Sequence, residues 1–188
     1  MAVISIKNKT KSGSLLVGNV GYVPPSFESI ETVTVGSGGA ASISFTSIPQ
    51  TYTHLQIRGI AKAVNNEQGY FLQINGDTAS NYTSHLLYGD GSSALAFANN
   101  SWGGIDLAST SSSQFGPMVV DILDYTNTNK FKTVRSLGGV DNNGSGYINF
   151  FSGLWRNTNA VTSISIKEIL GGGNITQFSS FALYGIKG

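Results

Sequence analysis

The sequence predicts an all-β protein: an antiparallel, jelly-roll-like β-sandwich with a short extended N-terminal arm. Three observations lead there. Apolar and polar residues alternate with a period of two along most of the chain, the pattern of half-buried strands. Clusters of Gly, Asn, Asp and Ser interrupt the alternation about every 8–12 residues, the spacing of strands in a sandwich. No stretch carries the 3.6-residue period of an amphipathic helix.

The elements follow in chain order. Residues 1–26 differ in kind from the rest. Val3, Ile4 and Ile6 begin a short apolar run, Lys7, Lys9 and Lys11 follow, and Pro24-Pro25 ends the segment in an extended form. The triplet Leu15-Leu16-Val17 is the apolar anchor of this arm. Two readings stand: a leader docked on its own domain, or an assembly arm laid against a neighbouring subunit. Residues 27–188 form the sandwich. Ile30–Val35 is its first strand, Gly36 to Gly39 a turn, and Ala41–Phe45 the return strand. In His54–Ala63 the small and apolar residues Leu55, Ile57, Gly59, Ala61 and Ala63 share one face, which suggests close approach by a second sheet. Tyr70–Ile74 ends at Asn75-Gly76, and Tyr82–Tyr88 ends at Gly89-Asp90-Gly91. Leu95–Ala98 and Trp102–Leu107 are weaker. Met118–Leu123 and Phe131–Leu137 read as a hairpin around a polar turn, and this hairpin is the expected centre of the sandwich. Tyr147–Trp155, Val161–Ile169 and Phe178–Ile186 complete roughly ten strands.

Composition narrows the function. At 188 residues the chain suits one domain. Charged residues make up 11%, far below the roughly 25% of an average protein, so the surface is polar but nearly uncharged. The net charge of +1 argues against nucleic acid as a partner, because phosphate binding needs clustered Lys and Arg. The absence of cysteine removes disulfides and thiolate metal sites. No run approaches the roughly 18 apolar residues of a membrane span, and the N-terminus lacks the apolar core of a signal peptide.

Candidate chemistry is sparse. His54 and His85 lie in no metal-binding spacing, and His85 reads as a packed strand residue. The glycine runs at 36–39 and 171–173 lack the Lys and Ser/Thr of a phosphate loop. Asp121 and Asp124 face opposite sides of one strand and do not suit paired acid–base work; Asp121 is expected to meet Lys132 or Arg135 across the hairpin. Loops such as Gly89-Asp90-Gly91-Ser92 offer oxygens but match no calcium loop. The expectation is a non-enzymatic protein with no cofactor and no metal. Aromatic residues are the remaining signal. Tyr147, Phe150, Phe151 and Trp155 occupy both faces of one strand, so one face serves the core and the other needs a partner. That partner is a symmetry mate or a sugar stacked on the rings, and the enrichment of aromatics at protein interfaces favours the oligomer.

The stretches SFESIETVTVGSGGAASISFTSIPQTYTHLQIRGIAK, LQINGDTASNYTSHLLYGDG, DYTNTNKFKTVRS and SSFALYGIKG resemble small virion proteins of tailed bacteriophages from marine and cyanobacterial hosts. The leader ISIKNKTKSGSLLVGN is similar to the start of such proteins. This resemblance implies an oligomeric, often threefold, β-sandwich on the head, neck or tail, released from the host by lysis. It implies as partners further copies of the chain and other virion proteins, with no membrane insertion. The role expected is a head decoration protein or a tail- or neck-associated fibre subunit. The alternative is a carbohydrate-binding module for host receptors, with Trp102 and Trp155 as stacking platforms. Trp102, Tyr147, Phe151 and Trp155 are thus the candidate contacts for an oligomer or a glycan.

Overall fold

The computed structural model describes residues 26–64, 69–109, 111–169 and 173–188. The anchor Leu15-Leu16-Val17, with the rest of residues 1–25, lies outside the described residues. Among the described residues there are twelve strands: β1 (Phe27–Thr34), β2 (Ser42–Phe45), β3 (His54–Ala61), β4 (Gly69–Ile74), β5 (Tyr82–Gly89), β6 (Ala94–Trp102), β7 (Ile105–Ser109), β8 (Gly116–Leu123), β9 (Lys132–Asp141), β10 (Gly146–Trp155), β11 (Ile164–Glu168) and β12 (Ser180–Ile186). They form an antiparallel sandwich. The large sheet has the order β1-β12-β3-β8-β9-β10-β5-β6, and the small sheet β2-β11-β4-β7.

The expected hairpin β8–β9 does occupy the middle of the large sheet. Period-two alternation builds it: Met118, Val120 and Ile122 point into the core while Val119 points out. Its turn is less plain than its sequence. Tyr125 is fully buried and its hydroxyl donates to the Pro49 carbonyl. Lys132, at the start of β9, is also fully buried. Its ammonium donates to the carbonyls of Asn127 (2.5 Å), Lys130 (3.0 Å) and Thr158 (2.9 Å), so each of its three protons has an acceptor. Burial holds its pKa below the usual lysine value, and the neighbouring charge of Lys130 adds to the effect.

Three sequence expectations are corrected here. β1 and β2 are not a hairpin: β1 pairs with β12, and β2 pairs with β11 in the other sheet. The glycine turn instead carries the chain between sheets. Gly39 has φ +74°, and a Cβ there would lie 2.8 Å from the Ile175 carbonyl. Second, the small residue Gly59 on β3 does not admit another sheet; Phe181 and Met118 of the flanking strands fill its space. The sheets approach closely at Gly153 instead, where a Cβ would fall 2.3 Å from the Ile105 side chain on β7. Third, of the two expected cross-strand neighbours of Asp121 the register supplies Arg135 and not Lys132, and among the described residues neither forms an ion pair with it. The Asp121 carboxylate accepts from the Gln56 amide on β3 at 2.8 Å.

The core lies between the sheets. Phe45, Leu72, Ile74, Ile105, Ile164 and Ile166 of the small sheet meet Leu55, Ile57, Val120, Val134, Phe181 and Leu183 of the large one. Because the small sheet has four strands and the large one eight, it cannot back the whole of its partner. β7 packs over β9 and β10, and Asp106 on it reaches Asn99 of β6; the first half of β6, Ala94–Ala98, is an exposed ledge beyond it.

Candidate interaction surface

The outer face of the large sheet carries the molecule's main exposed apolar surface. The pairing register places Val119 beside Leu137, Leu137 beside Phe150, Phe150 beside Leu87, and Leu87 beside Ala96. These residues form one row across β8, β9, β10, β5 and β6, about 19 Å long at the usual strand spacing. Four of them are large and well exposed: Val119 38%, Leu137 51%, Phe150 44% and Leu87 56%. In the adjacent row Ile148 is 64% exposed and Ile60 49%. Scattered exposed leucines are ordinary, but a contiguous stripe marks an interaction site.

Two depressions flank the stripe. One, of about 680 Å³, lies over Pro117, Val119, Leu137, Gly139 and Ile148, with Asp90 and Asp141 also on its lining. Gly139 is essential to its shape: a Cβ there would lie 2.3 Å from the Tyr147 carbonyl, so β9 and β10 close at this point with no side chain above them. The other, of about 550 Å³, lies over Phe150, Leu87, Ala96, Ala98 and His85. His85 is therefore exposed on this face, which corrects its reading as a packed residue. Toward β1 the outer face becomes aromatic and cationic. Phe27 stacks on Tyr184 with centroids 4.7 Å apart, and the Arg58 guanidinium lies 5.0 Å from the Phe27 ring centre.

The expected contact residues separate by strand parity. Trp155 is 1% exposed; it stacks on Tyr82 and donates its indole N–H to Asp77 at 2.8 Å. Phe151 is 6% exposed on the same inner face. Both rings belong to the core, which corrects their reading as surface contacts. Tyr147 is half-buried and sits edge-on to Tyr88, which itself stacks on Phe97. Trp102 ends β6, paired with Tyr82; its side chain lies outside the described residues. The outward ring of this strand is Phe150. Val119 on β8, Leu137 on β9, Leu87 on β5 and Ile148 on β10 join Phe150 on this exposed face and were not among the expected candidates; apolar residues on both parities of their strands are the sequence signal for them.

Ionisable groups lie mainly inside the fold or in its turns. Burial pushes the Asp77 carboxyl up, but hydrogen bonds from Asn81, Trp155 and the Ala79 amide outweigh it and hold the group below its usual range. Asp106 on β7 is raised by burial, against hydrogen bonds from Asn99 and Ser84. Glu168 on β11 is raised by burial, with the Gly173 amide opposing. Neither Glu168 nor the adjacent Tyr70 hydroxyl makes a hydrogen bond of normal geometry. Among the described residues no three His, Cys, Asp or Glu side chains are grouped to hold a metal ion.

No protein-family model matches the chain, and no curated protein matches it. Among solved structures, a double mutant of the alginate lyase Aly36B in complex with an alginate tetrasaccharide is 11% identical, with a TM-score of 0.31. The match covers 88% of this chain and 99% of that one. So low a TM-score gives the likeness no weight for mechanism.

Proposed function

We propose that this chain is a non-enzymatic structural protein of a tailed-phage particle. It acts as a homo-oligomeric surface component, a head decoration protein or a tail- or neck-associated subunit. The observation that carries this reading is the apolar stripe Val119–Leu137–Phe150–Leu87 on a sheet face that no other part of the described chain covers. A chain with only 11% charged residues does little to keep such a face soluble alone. The sequence resemblance supplies the particle; the face supplies a means of attachment. Residues 1–25 would add a second grip.

Gold-tagged antibody against this chain, applied to intact particles, tests the reading. Gold over the shell fits a decoration protein, and gold at the tail or neck fits a fibre subunit. Particles free of gold refute the proposal. Leu137→Lys should fold normally yet fail to dock, because the outward side chain leaves the core intact and puts a charge into the contact.

A second reading, recognition of a host glycan, rests on the depression beside Ile148, where Asp90, Asp141 and Ser145 lie among apolar walls. Glycan-array binding that is lost in Asp141→Ala would support it. An array with no binding would end it.

A further inference from the structure

We infer that β6 is a self-association edge, along which two copies join their large sheets into one continuous sheet. This rests on the oligomeric reading above and goes further by naming the contact and its symmetry.

The two edges of the large sheet are unlike. β1 carries Glu28 and Glu31 within eight residues, and Lys187 pairs with Glu28 beside it. Charges on an edge strand are the ordinary guard against sheet-to-sheet pairing. β6 reads ALAFANNSW: nine residues without a charge or a proline. Every residue from Ala94 to Ala98 is exposed, with Leu95 at 40% and Phe97 at 56%. An uncharged edge of this length, with a free ladder and apolar side chains, is built to be covered.

The occupant is a second copy of the chain. Antiparallel pairing of β6 with itself brings no like charges opposite one another, whereas β1 pairing with itself would set glutamates close together. The contact is isologous, with a twofold axis normal to the sheet. That axis keeps outer face with outer face, so the stripe ending at Leu87 and Ala96 runs on into the partner's stripe. On the inner side, Leu95 and Phe97 sit on the ledge beyond β7, next to Tyr88, with room for the partner's matching side chains. Size agrees. The ladder alone is about 30 Å long and narrow. It approaches the roughly 800 Å² per partner of a stable interface only if side chains on both faces join in, and over Ala94–Ala98 both faces are apolar. The product is a dimer, or an even-numbered assembly where a threefold axis is also present.

The test uses the full chain. Light scattering after size-exclusion should give an even-numbered oligomer, and hydrogen exchange should show protection of the alternate β6 amides that point away from β5. Phe97→Lys on the inner side and Ala96→Lys on the outer side should each weaken self-association at least about tenfold, since either buries a charge without a partner. Thr32→Lys on β1 should change nothing. Circular dichroism confirms that each variant folds; should Phe97→Lys fail to fold, Ala96→Lys decides. An oligomer untouched by the folded β6 variants overturns this contact and leaves the particle reading standing. A wild-type chain that stays monomeric, with its outward-pointing β6 amides exchanging fast, overturns it too. Absence of gold from particles removes the particle reading alone.

Discussion

Replacing Lys132 with methionine keeps the length of the side chain and removes its ammonium. Three carbonyls then lose their donor: Asn127 and Lys130 in the β8–β9 turn, and Thr158 in the loop after β10. Hydrogen bonds to a charged group are worth about 1.5–3 kcal/mol each. The desolvation that lowers the Lys132 pKa works against that sum, because the wild-type fold carries a buried charge. Water can also reach the loop carbonyls once the lysine is gone. The net loss should be about 2–4 kcal/mol. For a chain of this size that lowers the melting midpoint by about 5–15 °C. Guanidinium unfolding followed by the fluorescence of buried Trp155 measures it directly. Lys130→Met is the control. That lysine is 55% exposed, and its pair with Asp124 is a surface contact that contributes little. A Lys132→Met protein as stable as the wild type would refute the idea that this ammonium ties the two loops together.

Three other outcomes are expected. Gly153→Ala should destabilise by about 1–3 kcal/mol in urea unfolding, because its Cβ would press on the stiff, buried Ile105. Asp77→Asn should lose about 1–2 kcal/mol, since the charged acceptor of the Trp155 indole is replaced by a neutral one. In wild type the Asp77 contribution is present above the usual carboxylate range and disappears as acid protonates the group, so melting curves of the two proteins should converge at low pH. Glu168 behaves in the opposite sense. Its folded pKa lies above its ordinary 4.5, so the folded state binds more protons and stability falls as pH rises through that window. Glu168→Gln should flatten this slope in a pH series of melting midpoints; an unchanged slope would show that Glu168 is not its source.

The strands were legible because alternation is local. β3, β8 and β12 follow from their own residues, and the turn at Asn143-Gly144, both at positive φ, follows from Asn-Gly chemistry. Pairing was not legible in the same way. That β1 lies beside β12 depends on contacts more than 140 residues apart, which no short pattern encodes. The choice of face was the harder matter at the site. At the start of β9 the sequence offers Phe131, Thr133, Arg135 and Leu137 on one parity, with two large apolar residues, against Lys132, Val134 and Ser136 on the other, with one. Ordinary hydrophobicity would bury the first set. The fold buries the second, because Lys132 finds three carbonyls and Ser136 finds the Leu107 carbonyl. The same ambiguity on β10 hid Trp155 and Phe151 inside and left Phe150 and Ile148 outside.

The position of β12 has a consequence for how this chain is made. It lies inside the large sheet, between β1 and β3, although more than 100 residues separate it in the chain from either neighbour. Phe27 pairs with Ile186, so until Ser180–Ile186 has been made β1 has no neighbour in this sheet and one side of β3 stays open. Such distant pairing raises contact order and slows folding, to about milliseconds or seconds for all-β chains. A nascent chain stalled before Ser180 would present two bare strands to its surroundings, and loss of Ser180–Ile186 would remove an interior strand of the sheet. Beyond β12 the chain stays against the sheet's edge loop, where the Gly188 amide donates to the Thr53 hydroxyl at 3.0 Å.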